Sequence, residues 1–265
     1  MTGELTRQEL VKLASQRYPY VLLAIALAAQ GAAMLVLGLR RPESSLDVLT
    51  GAQLWSEGAL AGLRLSAYIV LVTGAMSLSG EFSQGTAKTW LVLPLTRRHW
   101  LAGKLLSLLA LSAALVAAVA ALAWLVTAFT AGWGDVAREG ITLHRAAEVQ
   151  RHLALSVALT VLLMAPVCAF GMLVGLLFPS PGAAVAVAVL LGTTLDAAAN
   201  LFDSLGRFIF FAYLTQPFAT VGRIGKGMAY QWQPVLTWGL GVSAATLLVL
   251  LAVLFVRLEK MDIPG

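Results

Sequence analysis

The chain carries very little charge for its length, and that shortage limits what kind of protein it can be. Only 12% of its 265 residues are charged, whereas 59% are hydrophobic. Its mean hydropathy is +0.85. A water-soluble domain carries about 25% charged residues, because they coat its surface. The composition therefore excludes an ordinary soluble domain and predicts an integral membrane protein that exposes most of its surface to lipid.

The basic residues are too thinly spread to form a nucleic-acid surface. The formal net charge is +5, but its lysines and arginines are scattered among short loops between apolar runs. Nucleic-acid binding needs a dense basic face, so the sequence predicts no nucleic-acid partner. Scattered basic loops fit the anionic headgroups of a lipid bilayer instead.

Cysteine and histidine are also scarce. The single cysteine, Cys168, lies inside an apolar run, which excludes a disulfide or a cysteine-based metal site within one chain. His144, Glu148 and His152 fall on one side of a predicted helix, because their spacing is four residues. A metal site is geometrically allowed there, but the neighbouring arginines favour a solvated amphipathic helix, so no metal is predicted.

Catalytic motifs are absent as well. A phosphate-binding loop needs a glycine, then any four residues, then Gly-Lys-Ser/Thr. Gly103-Lys104 is followed by leucine and Gly225-Lys226 by glycine, so neither fits. No zinc-binding His-Glu-x-x-His helix or Gly-x-Ser-x-Gly nucleophile turn occurs. The sequence predicts a non-catalytic chain without a cofactor of its own.

Long apolar runs dominate what is present. A helix needs about 20 mostly apolar residues to cross a bilayer. Residues 153–195 are uncharged and too long for one crossing, and Pro179–Gly182 divides them. The predicted spans cover about residues 18–39, 60–79, 103–130, 153–178, 183–201 and 234–256.

Proline and glycine predict how these spans bend and pack. Pro166 should kink the fourth span, because proline interrupts the hydrogen-bond ladder of a helix. Gly58 and Gly62, like Gly171 and Gly175, are four residues apart. Such pairs permit two helices to approach closely.

Two shorter elements are predicted outside the spans. Residues 5–17 place Leu5, Leu10, Leu13 and Ala14 along one side, which favours an amphipathic helix in the membrane interface, stopped by Pro19. Residues 202–233 mix apolar and polar segments and are too short for two crossings. Short re-entrant helices packed against protein fit them best.

The segment between the second and third spans is the most informative part of the chain. It reads GTAKTWLVLPLTRRHWLAGK, from Gly85 to Lys104. Gly85 permits a sharp turn, and Pro94 ends a helix and fixes a new direction. Trp90 and the three apolar residues after it are unusual in a basic loop, and exposed apolar patches mark contact surfaces.

This spacing resembles the same loop in ABC-2-type transporter permeases. There a Gly-Thr pair is followed eight residues later by proline, then by a Ser/Thr-Arg pair and by Gly-Lys at the next span. The corresponding residues here are Gly85-Thr86, Pro94, Thr96-Arg97 and Gly103-Lys104. Glu81 matches an acid often found just before the loop, and Asp262-Ile263 matches the usual end of these permeases.

The resemblance implies an all-α integral membrane fold with six transmembrane helices in a single transmembrane domain. It adds a cytoplasmic N-terminal elbow helix, a cytoplasmic coupling segment and an outer re-entrant hairpin before the sixth span. Both termini would be cytoplasmic, in the inner membrane of a bacterial cell. The charge balance of the loops alone does not decide this orientation.

The resemblance also implies partners and a role for the loop. The chain would be the permease subunit of an exporter, paired with a second transmembrane subunit and with a cytoplasmic ATPase that binds ATP-Mg. A basic loop that only fixes topology is the alternative. The residues implied in ATPase coupling are Glu81, Gly85, Thr86, Lys88, Trp90, Pro94, Arg97, Arg98, Gly103 and Lys104.

Two ionisable residues, Arg64 and Asp196, lie within spans, where charge is costly and usually functional. Both fall toward the predicted outer ends of their helices. Thr193, Asp196 and Asn200 recur at three or four residues and form a polar stripe on span five. They predict either a structural ion pair with Arg64 or, as in the relatives, part of the translocation path.

Two rival functions differ in class. A secondary transporter working alone would need charged or unwound sites near the membrane midplane, and the two charges are few and peripheral. An intramembrane enzyme would need a nucleophile-base pair or metal ligands, which the sequence lacks. The spans encode no recognisable substrate.

Overall fold

The computed structural model describes residues 2–39, 50–85, 97–138, 141–202 and 206–260. The first four helices are α1 (Thr2–Ser15), α2 (Tyr18–Leu39), α3 (Gly51–Ser83) and α4 (Arg97–Thr130). A two-stranded hairpin follows, made of β1 (Val136–Arg138) and β2 (Ile141–His144). The remaining helices are α5 (Ala146–Leu163), α6 (Ala165–Leu177), α7 (Pro181–Leu201), α8 (Gln216–Gly225) and α9 (Leu240–Lys260). A 3-10 turn spans Phe210–Tyr213, and one π-helical turn, Val235–Gly239, leads into α9.

Six helical stretches in the described ranges are long and apolar enough to cross a membrane. They are α2, α3, α4, α5 together with α6, α7, and α9 with its leading turn. The protein is therefore an all-α, multi-pass integral membrane protein, as predicted. The hairpin is a small addition that the sequence did not predict, because strands of three and four residues are too short for a recognisable pattern.

Helix α3 forms the centre of the bundle. It packs against α2, α4, α6, α7 and α8. In its most apolar window 61% of the residues are buried, compared with 17% in α2, α7 and α9. The outer helices therefore leave apolar side chains free to contact lipid, whereas α3 is enclosed by protein.

The tightest helix pair is α3 with α6, and glycine makes it possible. A Cβ atom on Gly171 would lie 2.6 Å from the carbonyl oxygen of Leu71, and one on Gly175 would overlap the carbonyl of Ala75. The close packing predicted from this glycine pair is confirmed. Gly58 and Gly62 similarly face side chains of α2, those of Met34 and Gln30.

The fourth span is interrupted near Pro166, where the sequence predicted a kink. Helix α5 ends at Leu163, and α6 begins two residues later, at Ala165, with Pro166 in its first turn. Proline is tolerated there because the first amides of a helix have no partner within it. Pro19 does not stop α1 as predicted, because it lies in the first turn of α2.

Two helices begin earlier than the apolar runs predicted. Helix α3 starts at Gly51 rather than near residue 60, and the Thr50 hydroxyl caps it by accepting from the Gln53 amide at 3.3 Å. Helix α4 starts at Arg97, before the predicted start near residue 103. The basic residues Arg97 and Arg98 are therefore its first turn and not part of the loop.

The end of the bundle that holds the start of α3 is covered by a cap, made of the hairpin, the 3-10 turn and α8. Helix α8 packs on α3 and α5, and the Trp55 and Phe218 rings lie 4.7 Å apart. The Thr50 hydroxyl also donates to the Gly225 carbonyl at 2.8 Å. The re-entrant position predicted for this region relative to the bilayer stays a prediction.

Candidate functional site

A buried charge network lies at the opposite end of the bundle, called here the coupling end, where α3 ends and α4 begins. The Lys104 ammonium donates to Glu81 at 2.8 Å and to Glu9 at 3.1 Å. The Lys12 ammonium donates to the same Glu81 oxygen at 2.6 Å. Lys104 and Glu81 expose only 1% and 3% of their side chains. The network thus ties α1 to both helices that flank the basic loop.

The surroundings of Lys104 explain how a charge is held there. Besides its two carboxylates, the ammonium lies 3.4 Å from the Ser77 carbonyl and 5.3 Å from the centre of the Trp100 ring. An aromatic face attracts a cation. Taking an ion out of water costs several kcal/mol unless partners and hydrogen bonds compensate. Among the described residues, two cations and two carboxylates meet here, so their charges balance.

Glycine fixes the distance between α1 and α4. A Cβ atom on Gly103 would lie 3.1 Å from the Cβ of Leu5, which is closer than most such contacts. Leu5 is the residue of the predicted apolar side of α1 that is buried, whereas Leu10 and Ala14 remain exposed. Helix α1 therefore docks through Leu5 and through its charges, and not along its whole apolar side.

The network lies directly beside the predicted coupling loop. Gly85 ends α3 with φ of +68°, the left-handed conformation that glycine adopts without strain. On the other side, Arg98 forms an exposed ion pair with Glu259 of α9 at 3.2 Å. The chain is therefore anchored to other helices on both sides of the loop.

The structure brings together some of the predicted coupling residues. Glu81, Gly103 and Lys104 form the buried site with α1, Gly85 makes the turn after α3, and Arg97 and Arg98 begin α4. Four predicted residues lie outside the described ranges: Thr86, Lys88, Trp90 and Pro94. Sequence reasoning missed Glu9 and Lys12. Their opposite charges one helical turn apart were visible, but their partners in α3 and α4 were not.

The second predicted site lies between α3, α7 and the cap. Arg64 and Asp196 both line one cleft there. Within one chain they do not form the direct ion pair that was one of the two predictions. Arg64 lies near the middle of α3 and not close to its start, because the helix extends into the cap.

The polar stripe on α7 is satisfied locally. The Thr193 hydroxyl donates to the Leu190 carbonyl at 2.9 Å, and the Asn200 side chain donates to the Asp196 carbonyl at 2.6 Å. These bonds return to the backbone of the same helix and leave the Asp196 carboxylate out. Of the predicted path residues, Arg64 and Asp196 are thus the two that face a common space.

The predicted helix holds Glu148 and His152 but not His144, which ends β2. Both histidines are also less solvated than predicted. The Trp232 indole donates to His152 Nδ1 at 3.0 Å, and the Tyr230 ring lies 4.3 Å from the His152 ring. Glu148 lies between the two histidines, at 3.6 Å from His144 and 3.8 Å from His152. In the ranges that the structure describes, no three such side chains are placed to hold a metal ion. These contacts instead hold the segment before α9 against α5.

The fold and its two charged sites define a polytopic membrane protein whose central helix joins a coupling end to a cap. The sequence places it further. The chain belongs to the family described as "Protein of unknown function (DUF2705)", whose model matches residues 32–264. No curated protein matches the chain.

Proposed function

We propose that this protein is the transmembrane permease subunit of an ABC-2-type exporter. It pairs with a second transmembrane subunit and couples ATP hydrolysis by a separate ATPase to export. The observation that carries the proposal is the buried network of Glu9, Lys12, Glu81 and Lys104. It binds α1, α3 and α4 into one unit at the base of the loop with the permease spacing.

The central helix supplies a path for motion. Helix α3 holds Glu81 of the network and Arg64 of the cleft without an interruption between them. At about 1.5 Å per residue these residues are roughly 25 Å apart along one rigid helix. In this proposal an ATPase seated on the loop displaces the network, and α3 carries the displacement to the cleft at the cap.

The partner is tested by co-purification. The chain alone should neither bind nor hydrolyse ATP, because it lacks a phosphate-binding loop. Co-expressed with its cognate ATPase, it should purify as a complex. Thr86→Glu or Arg97→Glu should weaken the complex or uncouple hydrolysis from transport, because both positions lie in the loop or at its edge.

The matched control is Arg223→Glu, which makes the same charge reversal at an exposed residue of α8, at the other end of the molecule. It should leave the complex intact. Unchanged co-purification and coupling in both loop variants would refute the docking role. A chain that transports without any ATPase would support the rival secondary transporter.

Orientation is tested by labelling single cysteines in a Cys168→Ala background, which is suitable because Cys168 is buried. A membrane-impermeant maleimide should label His99→Cys from the cytoplasmic side only. It should label Arg145→Cys and Arg223→Cys from outside, because both lie at the cap end. Labelling of position 99 from outside would invert the topology and remove the loop from any cytoplasmic partner.

A further inference from the structure

The cleft at the cap presents one cation and one anion to the same space. Arg64 comes from α3 and Asp196 from the last turns of α7, and the 3-10 turn and its neighbours close the third side. The remaining lining is mostly apolar: Leu63, Ala67, Tyr68, Phe211, Leu214 and Thr215. Tyr68 lies within electrostatic reach of both charges.

Among the described residues, neither charge has a partner: Arg64 forms no ion pair or hydrogen bond, and the Asp196 carboxylate accepts none. The network at the coupling end differs, since Lys104 has two carboxylates within 3.1 Å there. A charge within a span costs about 2.5–3.5 kcal/mol on insertion scales. Two opposite, unpaired charges on one cleft therefore favour a ligand that satisfies both.

We propose that this cleft binds the headgroup of a zwitterionic amphiphile. An oxyanion group, such as a phosphodiester, meets the Arg64 guanidinium, and a protonated primary amine donates to the Asp196 carboxylate. Charge-assisted hydrogen bonds of this kind are roughly twice as strong as neutral ones. An anionic headgroup would leave Asp196 uncompensated and repelled, and a purely cationic one would do the same to Arg64.

The surface next to the cleft suits the apolar part of such a molecule. Leu65 follows Arg64 and is 37% exposed, and Leu190, one to two turns before Asp196, is 63% exposed. Both side chains are thus exposed on membrane spans, Leu65 on the part of α3 that the other helices leave uncovered. In this proposal the headgroup lies against the mouth of the cleft while its chains stay in the bilayer.

The first experiment measures binding to the purified chain by native mass spectrometry. The probe is phosphatidylethanolamine, which carries both charges, compared with phosphatidylglycerol of the same acyl chains, which carries only the anion. The wild-type chain should prefer phosphatidylethanolamine. Arg64→Gln and Asp196→Asn should each lower its apparent affinity about tenfold, the loss expected for one charged hydrogen bond.

Three controls separate binding from folding. Arg223→Gln removes an exposed arginine of α8 that does not line the cleft, so it should bind like wild type. Arg64→Lys keeps the cation and should recover most of the affinity lost in Arg64→Gln. Thermal midpoints in detergent show that each variant is folded.

Two outcomes would overturn the site. One is equal binding of both lipids by the wild-type chain. The other is a preference for phosphatidylglycerol that depends on Arg64 but not on Asp196, which would make the cleft a simple anion site.

The source of the ligand is resolved in a second arm, which alone rests on the proposed exporter function. The chain and its ATPase are reconstituted into vesicles with a phosphatidylethanolamine labelled on one acyl chain. ATP-dependent movement between leaflets would identify the zwitterion as cargo. Binding without movement would identify it as a resident membrane lipid and would leave the site standing, whereas failure of the ATPase to associate would count only against the exporter.

Discussion

Replacing Glu81 by alanine is expected to destabilise the protein by about 3–5 kcal/mol, because it removes the central carboxylate of a buried network. Lys104 would then keep only Glu9 and one carbonyl as polar partners, at a position that is 1% exposed. The loss should appear as a lower thermal midpoint in detergent. Helix α1 should also become sensitive to protease, since Lys12 loses its anchor.

The control for this change is Arg98→Ala, which breaks an ion pair at the same end of the bundle. Its partners Arg98 and Glu259 are 75% and 56% exposed, and such surface pairs contribute about 0–1 kcal/mol. The double variant Glu81→Ala/Lys104→Met should be more stable than Glu81→Ala, because the stranded ammonium is gone. Equal midpoints for Glu81→Ala and Arg98→Ala would show that burial adds nothing to this network.

Gly175→Ala is expected to be nearly as damaging, although it adds a single methyl group. The new Cβ would overlap the Ala75 carbonyl of α3, so α3 and α6 must move apart along the tightest contact in the bundle. Overpacking of this kind costs about 1–3 kcal/mol. The fall in thermal midpoint and in the yield of folded protein would measure it.

Gly80→Ala is the matched control, because the same change is made in α3 where nothing lies within 4 Å of the new methyl group. It should be neutral or stabilising by about 0.5–1 kcal/mol, since glycine weakens a helix interior. If both glycine variants gain stability, helix propensity and not close packing determines position 175.

The sequence predicted the number of spans and the break at Pro166, because lipid contact and proline geometry act locally. It misplaced the starts of α3 and α4. An apolar run indicates which residues contact lipid, but a helix can extend beyond those residues. Residues 51–59 are helical because Thr50 caps them and α8 packs against them. Those contacts join segments more than a hundred residues apart in the chain.

The candidate sites show the same limit. The resemblance to the permease loop implied Glu81 and Lys104, but their neighbour Glu9 lies 95 residues before Lys104. No local pattern connects them. Arg64 and Asp196 were predicted toward the outer ends of their helices and line one cleft, but their positions along the helices could not tell whether their side chains touch.

The break at Met164 makes the two most buried transmembrane columns mechanically unequal. Helix α3 is continuous over 33 residues. The neighbouring span is divided into two helices: α6 packs on α3 through glycine contacts, and α5 packs on the cap. Proline donates no amide hydrogen bond, so the joint at Pro166 bends at less cost than any point in α3. Under axial force, α6 would therefore move with α3, and the change of angle relative to α5 would fall at this joint. Met164 and Pro166 are both buried, so a hinge of this kind would lie inside the bundle and not on its lipid-facing surface.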